Sequence, residues 1–249
     1  DEIIMQACNS VCFSLWGGVE LRRIPTHYYV KESECLAEKV KILCGTNIIW
    51  KNMENQAQWA LPRDLHSYQN VCLLGVGLSD VGINQRATHY TKALYRSLLS
   101  SNLLRSVRDD RTKRFLNSIG FDNVVNTACP TMWTLTPEFL ASIPKKKGKR
   151  VLTSITDYCF SPEEDLEMLR ILQQEYEGVT IWVQGSHDID WCLEKIIDLG
   201  DFKLIGPNIR ELDAELSDPD LDYVGTRLHA GIRCLNRAHR TLIITVDNR

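Results

Sequence analysis

The sequence predicts an α/β protein with two Rossmann-like domains that face each other across a cleft. Apolar runs of strand length alternate with amphipathic helical stretches, and this order is typical of parallel sheets. The alternation occurs on both sides of a lysine-rich segment at 144–150, which we interpret as a solvated linker between domains at 1–143 and 151–249. Of the 249 residues, 44% are hydrophobic, which is enough for a sizeable core.

The first half shows the less regular alternation. Asp1 is a good N-cap and Glu2 suits the positive end of a helix dipole, so a helix is expected to begin there. A later helix is expected to close at Gly120. The predicted elements are a helix at 2–15, a strand at 71–77, a helix at 90–104, a strand end at 104–108 and a helix at 111–119.

The second half is more regular, and its helix at 162–176 carries Leu166, Leu169 and Leu172 on one stripe. In a sheet of this kind, ligands gather at the carboxyl ends of the strands. The predicted elements are strands at 151–156, 179–184, 202–205, 223–224 and 241–246, and helices at 162–176, 189–199, 211–216 and 227–236.

Charge and composition exclude several classes of protein. The formal net charge of −3 argues against a globally basic nucleic-acid binder. No run approaches the ~18 to 20 apolar residues of a membrane span, and the amino terminus lacks the pattern of a signal peptide. We therefore expect a cytoplasmic protein, with peripheral association at a membrane surface left open. The nine cysteines include no Cys-x-x-Cys pair, which predicts free thiols and no metal site.

The stretch at 222–231 is the most informative for function. A short strand leads through Gly225 and Thr226 into a predicted helix, so backbone N–H groups and the positive dipole end meet Arg227 and His229 in its first turn. These features predict an anion site. The alternative is that Arg227 pairs with an acid and His229 is a packed interior histidine.

Other strand ends carry weaker signals. The glycines at 75–82 form neither a dinucleotide fingerprint nor a P-loop. The segment at 44–47 (Cys-Gly-Thr-Asn) could present backbone donors to a ligand, or it could be a plain turn. Arg108 stands at a strand end, where it could reach the cleft or serve the fold.

The order of these segments resembles the polysaccharide pyruvyl transferase family. The matching motifs are collinear and span nearly the whole chain. They are Ser-Val-Arg-Asp at 106–109, Cys-Pro-Thr-Met-Trp at 129–133, Thr-Asp-Tyr at 156–158, Trp-Val-Gln-Gly at 182–185, Gly-Thr-Arg-Leu-His-Ala at 225–230 and Asp-Asn-Arg at 247–249.

The resemblance implies a fold like that of the two-domain GT-B glycosyltransferases, with the acceptor on the amino-terminal domain and the donor on the carboxy-terminal one. It implies that the pyruvyl group of phosphoenolpyruvate is transferred to two hydroxyls of a sugar as a ketal. The acceptor would be a glycan, such as an exopolysaccharide, or a lipid-linked sugar. Phosphoenolpyruvate is then a co-substrate, and no cofactor or metal is expected.

The resemblance also implies site residues. Arg227 and His229 match the family's Arg-Leu-His motif, and Arg108 matches its amino-terminal-domain arginine. We expect the two arginines to hold the phosphate and the carboxylate, because guanidinium groups bind such oxyanions bidentately. The expected substrate-binding residues are Asp1, Gly45, Thr46, Asn47, Gln184, Gly225, Thr226 and Leu228.

His229 is the candidate general acid, since a neighbouring phosphate favours the protonated imidazole. It could equally bind the phosphate and protonate it as it leaves. Asp1 and Asp109 are both candidate bases, and the sequence does not choose between them. The exposed faces of tryptophans could stack on a sugar, although most tryptophans are core residues. The candidates are Trp16, Trp50, Trp133 and Trp182.

Two alternative functions remain open at this point. A nucleotide-sugar glycosyltransferase would place a diphosphate at the same helix, because fold does not determine chemistry. A catalytically inactive anion-binding module would keep the same binding groups without turnover.

Overall fold

The computed structural model describes residues 2–18, 20–30, 40–56, 58–62, 64–79, 85–156, 161–196 and 200–246. The chain divides into two compact units, Ile3–Trp133 and Thr134–Arg249. Every strand pairing in both units is parallel, which confirms the predicted α/β class with parallel sheets.

The boundary between the units precedes the predicted linker. Thr134 donates a hydrogen bond to Asn236 Oδ1 at 2.7 Å, which ties the start of this segment to the second unit. The linker itself also lies on the second unit, because Gly148 N donates to Asp222 Oδ2 at 3.1 Å and Lys147 pairs with Glu175. The lysines at 145–147 are exposed, as expected, but this segment belongs to the second unit.

The first unit is built on two parallel strand pairs, β1 with β2 and β3 with β4. A bridge between Val76 and Val107 and a 3.0 Å bond from Gly75 N to Ser106 O join the pairs. The elements are α1 (Glu2–Trp16), β1 (Lys41–Cys44), β2 (Val71–Leu74), α2 (His89–Leu98), β3 (Arg105–Val107), α3 (Asp110–Ser118) and β4 (Val124–Asn126), with 3-10 turns at Met53–Asn55, His66–Tyr68 and Pro130–Met132.

The second unit contains one five-stranded sheet in the order β7-β6-β5-β8-β9. Counted within this unit, the order is 3-2-1-4-5, as in a Rossmann sheet, and the strand order reverses between β5 and β8. The elements are α4 (Pro137–Ala141), β5 (Arg150–Thr153), α5 (Pro162–Glu175), β6 (Gly178–Trp182), α6 (Ser186–Lys195), β7 (Lys203–Ile205), α7 (Ile209–Glu215), β8 (Leu221–Gly225), α8 (Leu228–Leu235) and β9 (Thr241–Ile243).

Buried apolar side chains form a core in each unit. In the first unit, Leu73 and Leu98 are fully enclosed between the strands and helices. In the second, Val151 of β5 and Leu169 of α5 occupy the same kind of position. The predicted stripe on α5 is confirmed for Leu169 and Leu172, which are buried, while Leu166 is partly buried against them.

Several elements are shorter than predicted. The strand expected at 71–77 ends at Leu74, because Gly75 has a φ of 63° and turns the chain. The helix expected at 90–104 ends at Leu98. The Arg105 guanidinium donates 2.7 Å hydrogen bonds to Leu99 O and Ser101 O, so these carbonyls are satisfied outside a helix.

In the ranges that the structure describes, no helix combines the length and the apolar character needed to cross a bilayer.

Gly75→Ala is expected to lower the free energy of unfolding of the first unit by about 2 to 5 kcal/mol. A side chain at this positive φ costs about 1 to 2 kcal/mol, and its Cβ would overlap Pro130 Cδ, which adds about 1 to 3 kcal/mol of overpacking. Gly120→Ala is the control, since Gly120 also has a positive φ but nothing lies within 4 Å of the added Cβ. Urea denaturation measures both, and equal losses would contradict the packing argument.

Candidate functional site

The carboxyl ends of β5 and β8 lie side by side where the strand order reverses. Thr226 N and Thr226 Oγ1 both donate to Ser154 O, at 3.1 and 3.2 Å. The Thr226 hydroxyl is also 2.8 Å from the hydroxyl of Thr156. All three residues are buried, so the two strand ends form one polar, tightly connected surface in the crevice where Rossmann sheets bind ligands.

Tyr223 links the two strand ends through its hydroxyl group. Its hydroxyl donates to Arg227 O at 3.0 Å and lies 2.6 Å from Ser154 Oγ, which must therefore donate to it. Complete burial raises the pKa of Tyr223 above its ordinary value, so the hydroxyl stays protonated and keeps both bonds. The start of α8 is thereby fixed relative to the end of β5.

Ile155 and Asp188 hold the side chain of Arg227 in place. Its Nε donates to Ile155 O at 2.8 Å, and its Nη2 lies 3.1 Å from both carboxylate oxygens of Asp188. The side chains of Arg227 and Asp188 are 14% and 2% exposed, so the pair is almost fully buried. The plane of the guanidinium group is therefore fixed at the strand ends.

Asp188 connects the end of β6 to the ends of β5 and β8. Besides Arg227 it accepts hydrogen bonds from Gln184 N at 2.8 Å and Gly185 N at 3.2 Å. The carboxylate thus joins the ends of β5, β6 and β8. Sequence reasoning missed Asp188, although an acidic residue in the first turn of a helix directly after a strand and a glycine is a signal that could have indicated it.

The helix that follows, α8, begins at Leu228, with Arg227 as its extended N-cap. The helix predicted at 227–236 is thus confirmed, and it begins one residue later than predicted. Its first intrahelical hydrogen bond runs from Gly231 N to Arg227 O at 3.2 Å, so the amides at 228–230 precede it. His229, the second residue of α8, is buried. The helix start therefore combines a positive dipole end, an arginine and a histidine, which is a favourable place for an anion.

In the first unit, Arg108 lies over the backbone at the ends of β1, β2 and β3. Its side chain is 7% exposed, and Nη2 donates to Asn47 Oδ1. Gly77 N donates to Thr46 O at 2.8 Å and Arg108 N to Val76 O at 2.9 Å, which sets this loop against the strand end. A Cβ at Gly77 would overlap Arg108 Nε, so glycine is needed for the arginine to lie there.

Asp109 has a structural role beside Arg108. Its Oδ1 accepts from Thr112 N at 2.6 Å and from the Thr112 hydroxyl at 2.8 Å, which caps α3. Its other oxygen is 3.7 Å from Arg108 Nε. Asp1, the other candidate base, lies outside the described residues.

The predicted residues thus fall into two groups, one in each unit. Gly225, Thr226, Arg227, Leu228, His229 and Gln184 come together in the second, and Gly45, Thr46, Asn47 and Arg108 in the first. The alternative interpretation expected an acidic partner for Arg227. That partner is Asp188, and it lies within the site.

The candidate stacking tryptophans differ in exposure. Trp182 is buried and donates from Nε1 to Gly206 O at 2.9 Å, so it is a core residue. Trp50 is partly buried against the core of the first unit. Trp16 and Trp133 are exposed and keep accessible faces.

Over the part of the chain that the structure describes, no group of three or more His, Cys, Asp or Glu side chains is arranged to hold a metal ion.

Together, the fold and the site define a Rossmann-type α/β protein. Its buried arginine lies beside the start of a helix, at the point where the strand order of the sheet reverses. A family model described as polysaccharide pyruvyl transferase matches residues 1–248. The chain therefore belongs to the polysaccharide pyruvyl transferase family, as its motifs indicated. Searches of curated proteins and of solved structures found no match to it.

Proposed function

We propose that this protein transfers the pyruvyl group of phosphoenolpyruvate to two hydroxyls of one sugar, in a polysaccharide or its lipid-linked precursor, forming a ketal. The observation that carries the proposal is the Arg227 site at the start of α8 in a member of this family. Phosphoenolpyruvate serves as co-substrate and no separate cofactor takes part. The GT-B-like arrangement of the two units is part of the same proposal.

The donor carries a phosphate and a carboxylate, and both need cationic or N–H donors. In the second unit, the Arg227 guanidinium, the first-turn amides of α8 and the hydroxyls of Thr156 and Thr226 converge on the strand ends. Asp188 orients Arg227 through its two carboxylate oxygens. We assign Arg108 as the second guanidinium group, with Asn47 orienting it in the same way.

The reaction then has two steps. In the first, His229 protonates the methylene carbon of phosphoenolpyruvate, positive charge develops at C2, and one sugar hydroxyl adds there and loses its proton to a base. In the second, the other hydroxyl forms a bond to C2 as the C2–O bond to the phosphate breaks, and its proton goes to the phosphate, which leaves as inorganic phosphate. Buried His229, next to the positive end of α8, supports a role at the phosphate-bearing end of the donor.

Phosphate release tests this proposal. The protein is incubated with phosphoenolpyruvate and a panel of glycans and lipid-linked sugars, and we expect inorganic phosphate together with a pyruvylated product. Release of a nucleoside diphosphate from a nucleotide sugar would instead identify a glycosyltransferase. Thermal stabilisation by phosphoenolpyruvate with no product from any acceptor would favour the inactive binding module.

Arg227→Lys is expected to weaken phosphoenolpyruvate binding by about 1.5 to 3 kcal/mol, because lysine keeps the charge but loses the planar fork. Arg233→Lys is the matched control. Arg233 lies on the same helix, is also 14% exposed and also binds an aspartate, Asp213. It does so through two nitrogens, Nε and Nη2, and it does not lie at the strand ends. Calorimetry should show a loss only in the Arg227 variant, and unchanged affinity there would remove Arg227 from the donor site.

A further inference from the structure

An exposed tryptophan lies at the carboxyl end of β4 in the first unit. Trp133 Nε1 donates a 2.7 Å hydrogen bond to the carbonyl oxygen of Thr127, the residue that follows β4. The tryptophan nevertheless remains 41% exposed. Because the one polar atom of the indole is bonded to the protein, the exposed part of the side chain is its apolar carbon surface.

The loop that carries Trp133 is held firmly by its own contacts. Cys129, Pro130 and Thr131 are buried, and Thr131 Oγ1 donates to Cys129 Sγ at 3.1 Å. Met132 N and Trp133 N donate to Cys129 O and Pro130 O, at 2.9 and 3.2 Å. Trp133 is therefore a rigid exposed aromatic side chain, which can bind a ligand at a small cost in conformational entropy.

This tryptophan lies close to the strand end that carries Arg108. In the parallel ladder of β3 and β4, Val107 pairs with Asn126, and Thr127 N donates to Val107 O at 2.9 Å. Arg108 and Thr127 therefore follow neighbouring strands that are about 4.8 Å apart. Since the indole is bonded to Thr127 O, its ring lies at the strand end next to that of Arg108.

Polar side chains at the same strand end can bind hydroxyl groups. Asn126 Nδ2 donates to Asp110 Oδ1 at 3.1 Å, and Asn126 Oδ1 accepts from Ala128 N at 3.0 Å. Asn126 and Asp110 are both exposed. A carboxylate can accept about four hydrogen bonds, so Asp110 can bind hydroxyl groups while it keeps its bond to Asn126.

We propose that Trp133 is the residue on which a sugar ring of the acceptor stacks, with the C–H face of the ring against the indole and hydroxyl groups bound to Asp110. A rigid apolar surface beside polar groups at the carboxyl ends of parallel strands is well suited to such a ligand. The inference rests on the proposed pyruvyl transfer, since it takes the acceptor to be a sugar.

Trp16 is the alternative stacking residue. Of the six tryptophans in the chain, Trp16 and Trp133 are exposed, at 48% and 41%. Trp16 is the last residue of α1, directly before Gly17, and it does not follow a strand. Ligands of α/β proteins bind at the carboxyl ends of the strands, and this favours Trp133.

Fluorine NMR of protein labelled with fluorotryptophan tests sugar binding without turnover. The probes are maltose, lactose, cellobiose and the glycans of the phosphate-release panel. We expect a saturable shift of the Trp133 resonance, identified by its loss in Trp133→Phe, and no shift of the Trp16 resonance. A Trp133 resonance that moves with none of these glycans, or a shift at Trp16 instead, would overturn the proposal.

Steady-state kinetics measures the contribution of the ring. With an acceptor that releases phosphate, Trp133→Ala should raise the acceptor KM about tenfold and leave kcat within about twofold. Trp133→Phe loses the bond to Thr127 O but keeps an aromatic ring, so its acceptor KM should rise less. Trp16→Ala is the matched control and should change neither constant. Equal losses in the Phe and Ala variants would overturn the proposal, because the bond to Thr127, and not the ring, would then matter.

These measurements separate a failure of this inference from a failure of the proposed function. If no glycan releases phosphate, the pyruvyl transfer is wrong, and the fluorine titration still decides whether Trp133 binds a sugar. If phosphate is released and Trp133→Ala leaves the acceptor KM unchanged, the transfer is right and the role of Trp133 is wrong. Circular dichroism checks that each variant is folded.

Discussion

His229→Ala is expected to lower turnover by about 10² to 10⁴-fold while leaving the affinity for phosphoenolpyruvate within a few-fold. The expectation follows from the place of His229 in the first turn of α8, two residues after Arg227. Two residues along an ideal helix rotate a side chain by about 200°. Because Arg227 is an extended N-cap and not part of the helix, the 200° rotation does not apply to this pair of residues. It therefore does not force the two side chains onto opposite sides of α8.

Single-turnover rate and binding affinity, measured in the same variant, distinguish the possible roles of His229. A general acid loses rate and keeps affinity, whereas a binding group loses affinity and keeps the rate at saturation. Full activity would show that His229 is only a packed interior histidine.

His239→Ala is the matched control. His239 is also buried in the second unit, but its two ring nitrogens lie 2.9 Å from Leu221 O and 3.0 Å from Leu216 O. Its loss should destabilise the fold without changing the rate of the folded protein. A similar fall in rate for both variants would mean that the effect of His229→Ala comes from disturbed structure.

Asp188→Ala is expected to lower the free energy of unfolding of the second unit by about 3 to 5 kcal/mol, because it leaves a nearly buried arginine without its carboxylate. The carboxylate is 2% exposed and accepts from Arg227, Gln184 N and Gly185 N. All these donors lose their acceptor together. Urea denaturation, with hydrogen exchange in β8 as the local probe, measures the loss.

Asp213→Ala provides the comparison for Asp188→Ala. Asp213 also binds an arginine with two oxygens, but it is 30% exposed, so water can replace it. Its loss should cost about 1 kcal/mol or less. Equal costs for the two variants would contradict the argument from burial.

The sequence by itself determined the α/β class, the alternation of the second half and the start of α8. These features have local causes: the spacing of Leu169 and Leu172 on α5, and the passage from β8 through Gly225 and Thr226 into a helix. Local periodicity and capping act between residues a few positions apart, so they can be recognised along the chain. The motifs also indicated the family that the whole-chain match then showed.

Strand ends and domain limits were less predictable. The strand after residue 71 was expected to continue through the glycines, but it ends where Gly75 turns. The unit boundary lies before the predicted linker because Thr134 bonds to Asn236, far along the chain. Composition marked the lysine-rich segment as solvated, and it could not show which unit carries it.

Only the tertiary structure decided the partners of the site residues. Asp188 and Arg227 are 39 positions apart, and the local sequence around either residue does not indicate that their side chains are in contact. Such contacts depend on which strands are neighbours and which face a helix covers, and these are set by the packing of the whole unit rather than by local sequence.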